Sequence, residues 1–168
     1  MGSQMLSLED TLLNSDFIDT LEQGEIEFKL YHHKLETVSC EQSAVERSVK
    51  LNQTLKCMLA KAPEIPLILL MLRGDHKLKI KKVRNLLNTR VNLLDDDEIK
   101  SLGLTKGAIS PFVINQNFVA IIDQAVFEIE WMTFSAGKLN LGLGMPSSNL
   151  IELIKDLQIA QIRSTSSN

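Results

Sequence analysis

The chain has 168 residues, 44% of them apolar, and a formal net charge of −3; it is long enough to bury a core without disulfides or structural metal and too acidic to hold nucleic acid by bulk electrostatics. Its two cysteines, Cys40 and Cys57, lack CxxC spacing and indicate neither a disulfide framework nor a zinc site. The N-terminus has no basic segment followed by an apolar core, and the longest apolar run, Ile65 to Leu72, is far too short to span a bilayer, so a cytoplasmic protein without a membrane partner is expected.

Met1-Gly2-Ser3-Gln4 is taken as a foreign leader before a natural start at Met5, with a single domain over 5–163 and a disordered tail over 164–168. Ser7-Leu8-Glu9-Asp10 can cap a helix that brings Leu8, Leu12, Phe17 and Leu21 near one face, with Asn14-Ser15-Asp16 a candidate break and Gly24 the stop. Ile26, Phe28 and Leu30 alternate as a strand running into His32 and His33. Ser39-x-x-Gln42 then opens a helix carrying Ala44, Val45, Ser48 and Val49. Strands are predicted over Thr54 to Ala60 and Leu67 to Leu72, joined by a turn over Ala62 to Pro66.

Farther along, Ile80, Val83, Leu86 and Leu87 recur at helical spacing with cationic flanks. Asp95-Asp96-Asp97-Glu98 suits the positive end of a short helix closing by Gly103, which explains these carboxylates without a metal. Phe118 to Asp123 and Ile129 to Phe134 are predicted strands, Leu139 to Leu143 an edge strand, and Pro146 the start of a last helix with Leu150, Leu153, Ile154 and Leu157 on one face. There is no internal repeat or inter-domain linker.

The stretch from Arg73 through Arg90 contains seven Lys or Arg residues against the single Asp75. Such an island, with Arg73, Lys77, Lys79, Lys81, Lys82 and Arg84 at its centre, suits either a few phosphates or a solvated helix face. His32, His33 and His76 sit in no nucleophile-elbow or protease motif, and adjacent His32 and His33 on a strand face opposite ways, which disfavours one chelated ion. His33 shares its face with Tyr31 and is placed near a pocket mouth, the alternatives being an exposed or a core histidine.

A lysine within Gln53-Thr54-Leu55-Lys56-Cys57-Met58-Leu59 draws more attention. Strand alternation sends Leu55, Cys57 and Leu59 to one face and Thr54, Lys56 and Met58 to the other, with Cys57 a core residue. An ammonium held between pocket-lining neighbours suits a phosphate or a developing oxyanion; the plain alternative is a solvated lysine. Downstream, Lys106-Gly107-Ala108-Ile109-Ser110-Pro111-Phe112 joins a permissive glycine to a rigid proline, so the turn can aim main-chain amides outward, although Gly and Pro also punctuate ordinary loops.

Taken with Arg73-Gly74-Asp75-His76-Lys77-Leu78 and Ser135-Ala136-Gly137-Lys138-Leu139, these blocks resemble, in order and spacing from about Gly24 to Leu157, the YbaK/prolyl-tRNA-synthetase-associated family of aminoacyl-tRNA editing domains. The resemblance implies a mixed α+β fold of the α/β class, with a mixed central β-sheet or partly open barrel surrounded by helices. It also implies a free-standing hydrolase, without cofactor or metal, that cleaves the ester of mischarged aminoacyl-tRNA. By the same carry-over, Lys56 contacts the terminal phosphate or ribose, the amides of Gly107, Ala108, Ile109 and Ser110 hold the aminoacyl end, and Pro111 fixes the loop. Thr54, Met58, Tyr31, His33 and Gly137 border the substrate.

Some relatives carry a glycine or histidine after the loop's first glycine, where this chain has Ala108, so no selection by that histidine transfers. Ser135-Ala136-Gly137-Lys138 is closer to the YbaK and synthetase-insert branches than to the alanyl-specific branch with its His-Pro element. Alanyl, cysteinyl, seryl and threonyl errors, on tRNA(Pro) above all, all remain open, since a pocket separates them by only about 1–3 kcal/mol. Prolyl-tRNA synthetase is an expected partner. The rival readings are a non-enzymatic tRNA-binding module using the basic island, and a synthetase-docking module using the N-terminal helix.

Overall fold

The computed structural model describes residues 15–114 and 116–165. The chain runs through α1 (Ser15–Gln23), β1 (Lys29–His32), α2 (Cys40–Arg47), β2 (Leu55–Ala62), β3 (Ile65–Arg73), α3 (Ile80–Leu87), β4 (Asn92–Leu93), α4 (Asp96–Ser101), β5 (Val119–Asp123), β6 (Trp131–Lys138), β7 (Leu141–Pro146), α5 (Asn149–Leu153) and β8 (Gln158–Ala160). The expected leader, the Ser7–Asp10 cap, Leu8 and Leu12 lie outside the described residues, as do residues 166–168.

The fold is mixed α+β, as expected, with its strands divided between two sheets. One is antiparallel in the order β1-β7-β6, the other mixed in the order β4-β2-β3-β5-β8, with β5 parallel to β3 and β8 parallel to β5. A single parallel bridge between Thr54 and Thr133 ties the two together at the start of β2. Among the described residues neither sheet closes into a barrel.

The apolar run of β3 follows from its position. Paired on both edges and covered on both faces, it buries every residue from Leu67 to Leu72. Leu67, Leu69 and Met71 face the larger core between the sheets, where they share Phe134, Leu143 and Met145 with the smaller sheet. Ile68 and Leu70 face the opposite way, onto Val83 of α3 and Ile162. Pro66 lies inside β3 rather than in the preceding turn. It is tolerated there because the register with β2 shifts at that point and pairing with β5 begins only at Ile68.

Local signals set the helices near the site. Ser39 accepts from Gln42 N (3.1 Å) and Gln42 Oε1 accepts from Val38 N (2.8 Å), which starts α2; Ser48 at φ 57° ends it. Asp95 and Glu98 cap each other reciprocally at 2.8 and 3.0 Å and open α4 as expected, with Glu98 also paired to Lys61.

Other parts of the expected layout change. The strand after Leu139 is the centre of its sheet and not an edge, flanked by β1 and β6. Pro146 ends that strand instead of starting a helix, and α5 begins at Asn149. Two short strands, β4 and β8, go unanticipated because two and three mostly exposed residues carry no apolar period. At the expected tail, Ser164 N donates to Lys77 O (2.7 Å), and Thr165 Oγ1 accepts from Lys82.

Candidate active site

Strand β2 is an incomplete edge. Its neighbour β4 pairs only with Ala60 and Lys61, so among the described residues no strand covers Leu55 to Met58 on that side. A cavity of about 400 Å³ opens over this uncovered stretch, walled by β2, by α2, by Leu93 and Leu94, and by the loop at Gly107. Lys56 and Met58 line it together with Gly107 and Ile109, so the two distant sequence blocks do converge on one space. All five residues from Leu55 to Leu59 contribute, because the cavity wraps around the strand edge instead of lying on one face.

Lys56 is half-buried, and its Nζ donates to His76 O at 2.7 Å, which fixes the ammonium against the Arg73–Leu78 turn. That turn comes close to the strand's start for a steric reason. A Cβ on Gly74 would stand 2.0 Å from Thr54 Oγ1 and 2.9 Å from Cys40 Cβ, so only glycine allows the approach that carries Gly74 N to Thr54 O at 2.8 Å.

The loop is less uniform than its expected role as a run of four amides. Gly107, at φ 89°, and Ile109 line the cavity, whereas Ala108, Ser110 and Pro111 are buried behind them. The Ala108 amide is spent on Thr105 O at 2.9 Å and drops out of the cradle. Those of Gly107 and Ile109 donate to no protein acceptor among the described residues.

Other expected substrate neighbours stand back from the cavity. Thr54 is buried, with its hydroxyl on Leu51 O at 2.7 Å. Tyr31 Oη accepts from Trp131 Nε1 at 2.9 Å, in the smaller sheet. Gly137 reaches the site only indirectly, by donating its amide to the hydroxyl of Ser135 (3.0 Å), a cavity residue. His33 lies just past the end of β1, so its parity with Tyr31 does not determine its direction; it is buried, not at a pocket mouth.

Of the basic island, Arg73 forks onto Asp75 (2.9 and 2.7 Å) and reaches Glu128 at 3.2 Å, Arg84 donates to Val91 O, and Lys82 is tied to Gln161 and Arg163 O. Lys77, Lys79 and Lys81 are exposed, and no hydrogen bond or ion pair engages their side-chain ammonium groups among the described residues. Lys77 follows directly on the His76 carbonyl that anchors Lys56.

A residue not anticipated from sequence dominates the inner wall. Arg47, the last residue of α2, is only 7% exposed yet lines the cavity. Its Nε donates to His33 Nε2 (3.1 Å) and its Nη1 to Thr133 Oγ1 (3.0 Å). Burial brings its pKa down to about 10, so it stays cationic at neutral pH. The only sequence signal was its spacing of three and four from the buried Ala44 and Ser43. Burial also pushes the thiols of Cys40 and Cys57 up, keeping both protonated, and Cys57 lines the cavity as well as packing on the core.

To accept from Arg47, His33 Nε2 must be unprotonated, which leaves Nδ1–H to donate to Leu139 O at 3.1 Å. Burial and then the Arg47 charge hold the His33 pKa below its usual 6.5. The unfolded chain therefore binds this proton first, and the stabilisation is whole above pH 6.5 and lost as pH falls through the lowered folded value. Urea denaturation across pH 7.5 to about 5 should show stability declining with acid. His33→Asn should remove that slope; an identical slope in the variant would assign it to other groups.

A model of the aminoacyl-tRNA editing domain matches residues 35–153, and the chain belongs to that family. Over 101 residues, 58% of this chain, it is 31% identical to a proline–tRNA ligase of Fusobacterium nucleatum subsp. nucleatum, of whose length it spans 18%. Among solved structures, a hypothetical protein superposes with TM-score 0.79 at 17% identity, over 89% of this chain and 100% of the other. A candidate trans-editing enzyme for prolyl tRNA synthetase gives 0.77 at 17% identity, over 88% and 92%. At these identities the structural matches speak for the fold. Among the described residues no helix is long and apolar enough to cross a membrane.

Proposed function

We propose that this domain is an aminoacyl-tRNA deacylase that hydrolyses the ester between a wrongly attached small amino acid and the terminal ribose of tRNA(Pro). The observation that carries the reading is the shared cavity: Lys56, Gly107 and Ile109 border one space of about 400 Å³, and among the described residues the amides of Gly107 and Ile109 have no protein acceptor. Lys56 is assigned to the phosphate or ribose of the terminal nucleotide, and the loop amides to the aminoacyl carbonyl. An ester is already activated, so holding it against a water beside fixed donors can supply the acceleration without a covalent nucleophile. Protonated Cys40 and Cys57 fit such a route. The likeness to a proline–tRNA ligase supports tRNA(Pro) as the carrier and the synthetase as a partner.

The deciding experiment presents Ala-, Cys-, Ser- and Thr-tRNA(Pro) beside correctly charged Pro-tRNA(Pro). At least one mischarged ester should be released at about ten times the rate of the prolyl ester or more. Folded protein inactive on every mischarged species would refute the proposal. Exposed Lys77, Lys79 and Lys81 favour one second reading, a tRNA-binding module without hydrolysis. It predicts salt-sensitive tRNA binding with the ester intact.

A further inference from the structure

Arg47 is a buried cation without a counter-charge. Among the described residues it makes no ion pair, and its two hydrogen bonds go to neutral acceptors, His33 Nε2 and Thr133 Oγ1. A guanidinium has five N–H donors, so three are left without a protein acceptor among the described residues, in a residue that lines the cavity. Room for the group comes from Gly142 on β7, where a Cβ would stand 2.5 Å from Arg47 Nε. Burying an unpaired charge is costly, and an acceptor from outside the protein relieves that cost when it enters.

Charge is unevenly placed along the same cavity: Glu41 is exposed, Asp96 and Lys106 are exposed and paired at 3.2 Å, Lys56 is half-buried on His76 O, and Arg47 alone of these charges is buried. On the deacylase reading, on which this inference rests, the polynucleotide must remain at the open end, so only the esterified amino acid can reach inward. Its α-ammonium is repelled by Arg47 and suits the exposed carboxylate of Glu41, which turns the side chain toward the guanidinium. Ser43 and Ser135 on the wall add small polar surface.

We infer that Arg47 is a specificity-determining residue, selecting an aminoacyl ester whose short side chain ends in an acceptor oxygen, hydroxyl or carboxylate, over one of similar size without it. A site built to hydrogen-bond such an oxygen discriminates strongly against its absence, because the donors are then left unpaired.

The test compares kcat/KM for seryl, aspartyl and alanyl esters of one tRNA(Pro), in the wild-type protein and in Arg47→Met and Arg47→Lys. The wild type should favour the better of the seryl and aspartyl esters over alanyl by about 10-fold to 100-fold. Arg47→Met should bring that ratio to within about threefold, with Arg47→Lys between. An aspartyl preference identifies charge pairing and a seryl preference hydrogen bonding; either supports the inference. Equal losses on all esters in Arg47→Met would overturn it in favour of a general structural or oxyanion role. A wild-type preference for alanyl would overturn it whether or not the variants fold.

Calorimetry with seryl and alanyl amides of 3′-amino-3′-deoxyadenosine separates this inference from the hydrolytic reading. If no ester is cleaved, that reading fails, while tighter wild-type binding of the seryl amide still supports the role of Arg47. Equal binding, or none, overturns it.

Discussion

Replacing Lys56 with alanine is expected to lower kcat/KM for ester cleavage by about 10²–10³-fold, the range for deleting one preorganised electrostatic group. Stability should fall by no more than about 1 kcal/mol, the net worth of an ordinary hydrogen bond. The two effects separate because of where the side chain lies. Its ammonium is anchored to one carbonyl, His76 O, in a turn that water can reach, so truncation strands no buried partner. The strand beneath is held by its own ladder to β3, which alanine leaves intact. Lys56→Arg should recover only part of the rate, since a planar fork replaces a compact charge. Single-turnover deacylation beside urea titration measures both quantities. A rate unchanged in folded Lys56→Ala would remove this lysine from the mechanism.

How far such a site can be seen in advance depends on how local its causes are. Helix α2 was legible because Ser39 and Gln42 cap it within four residues, and α4 because Asp95 and Glu98 do the same. The core strand β3 announced itself through an apolar run that only double-sided burial accommodates. Lys56 and Gly107 were legible as residue types suited to a ligand. Which members of the loop face the cavity was not, since that depends on Ala108 folding back onto Thr105.

Arg47 shows the limit more sharply. In Cys40–Arg47 it is one charged residue among several polar ones, and nothing within the helix separates it from a solvated arginine. Its burial is decided by Gly142, Thr133 and His33, which come from β7, β6 and the segment after β1. The misplacing of His33 has the related cause that β1 ends one residue earlier, so the alternation used to orient it no longer applies.

A second expected result concerns a residue outside the cavity. Asp123→Ala should destabilise the protein by about 3–5 kcal/mol, the cost of breaking a buried charge pair by removing one partner. The Asp123 side chain is fully buried at the end of β5. It accepts from Ala125 N (2.9 Å), Ile162 N (2.8 Å), Arg163 N (2.9 Å) and Arg163 Nη1 (2.7 Å). One carboxylate thus joins β5 to the turn after it and to the segment leaving β8, and alanine would leave all these donors facing a void. Burial alone would raise its pKa, but the amides of Ala125, Ile162 and Arg163 and the Arg163 guanidinium outweigh it and hold the carboxyl below the usual range. Because the folded pKa is the lower one, the unfolded chain takes up the proton first as pH falls. The stabilisation is therefore present above about pH 4 and lost as pH drops through the folded value. Asp123→Asn, which keeps the shape but not the charge, should lose about 1.5–3 kcal/mol and much of this acid dependence. Urea titrations at pH 7 and near pH 3 test both variants. A loss below about 1 kcal/mol for Asp123→Ala would mean that water or a shifted side chain replaces the carboxylate, and that the β8 segment is held by its ladder to β5 instead.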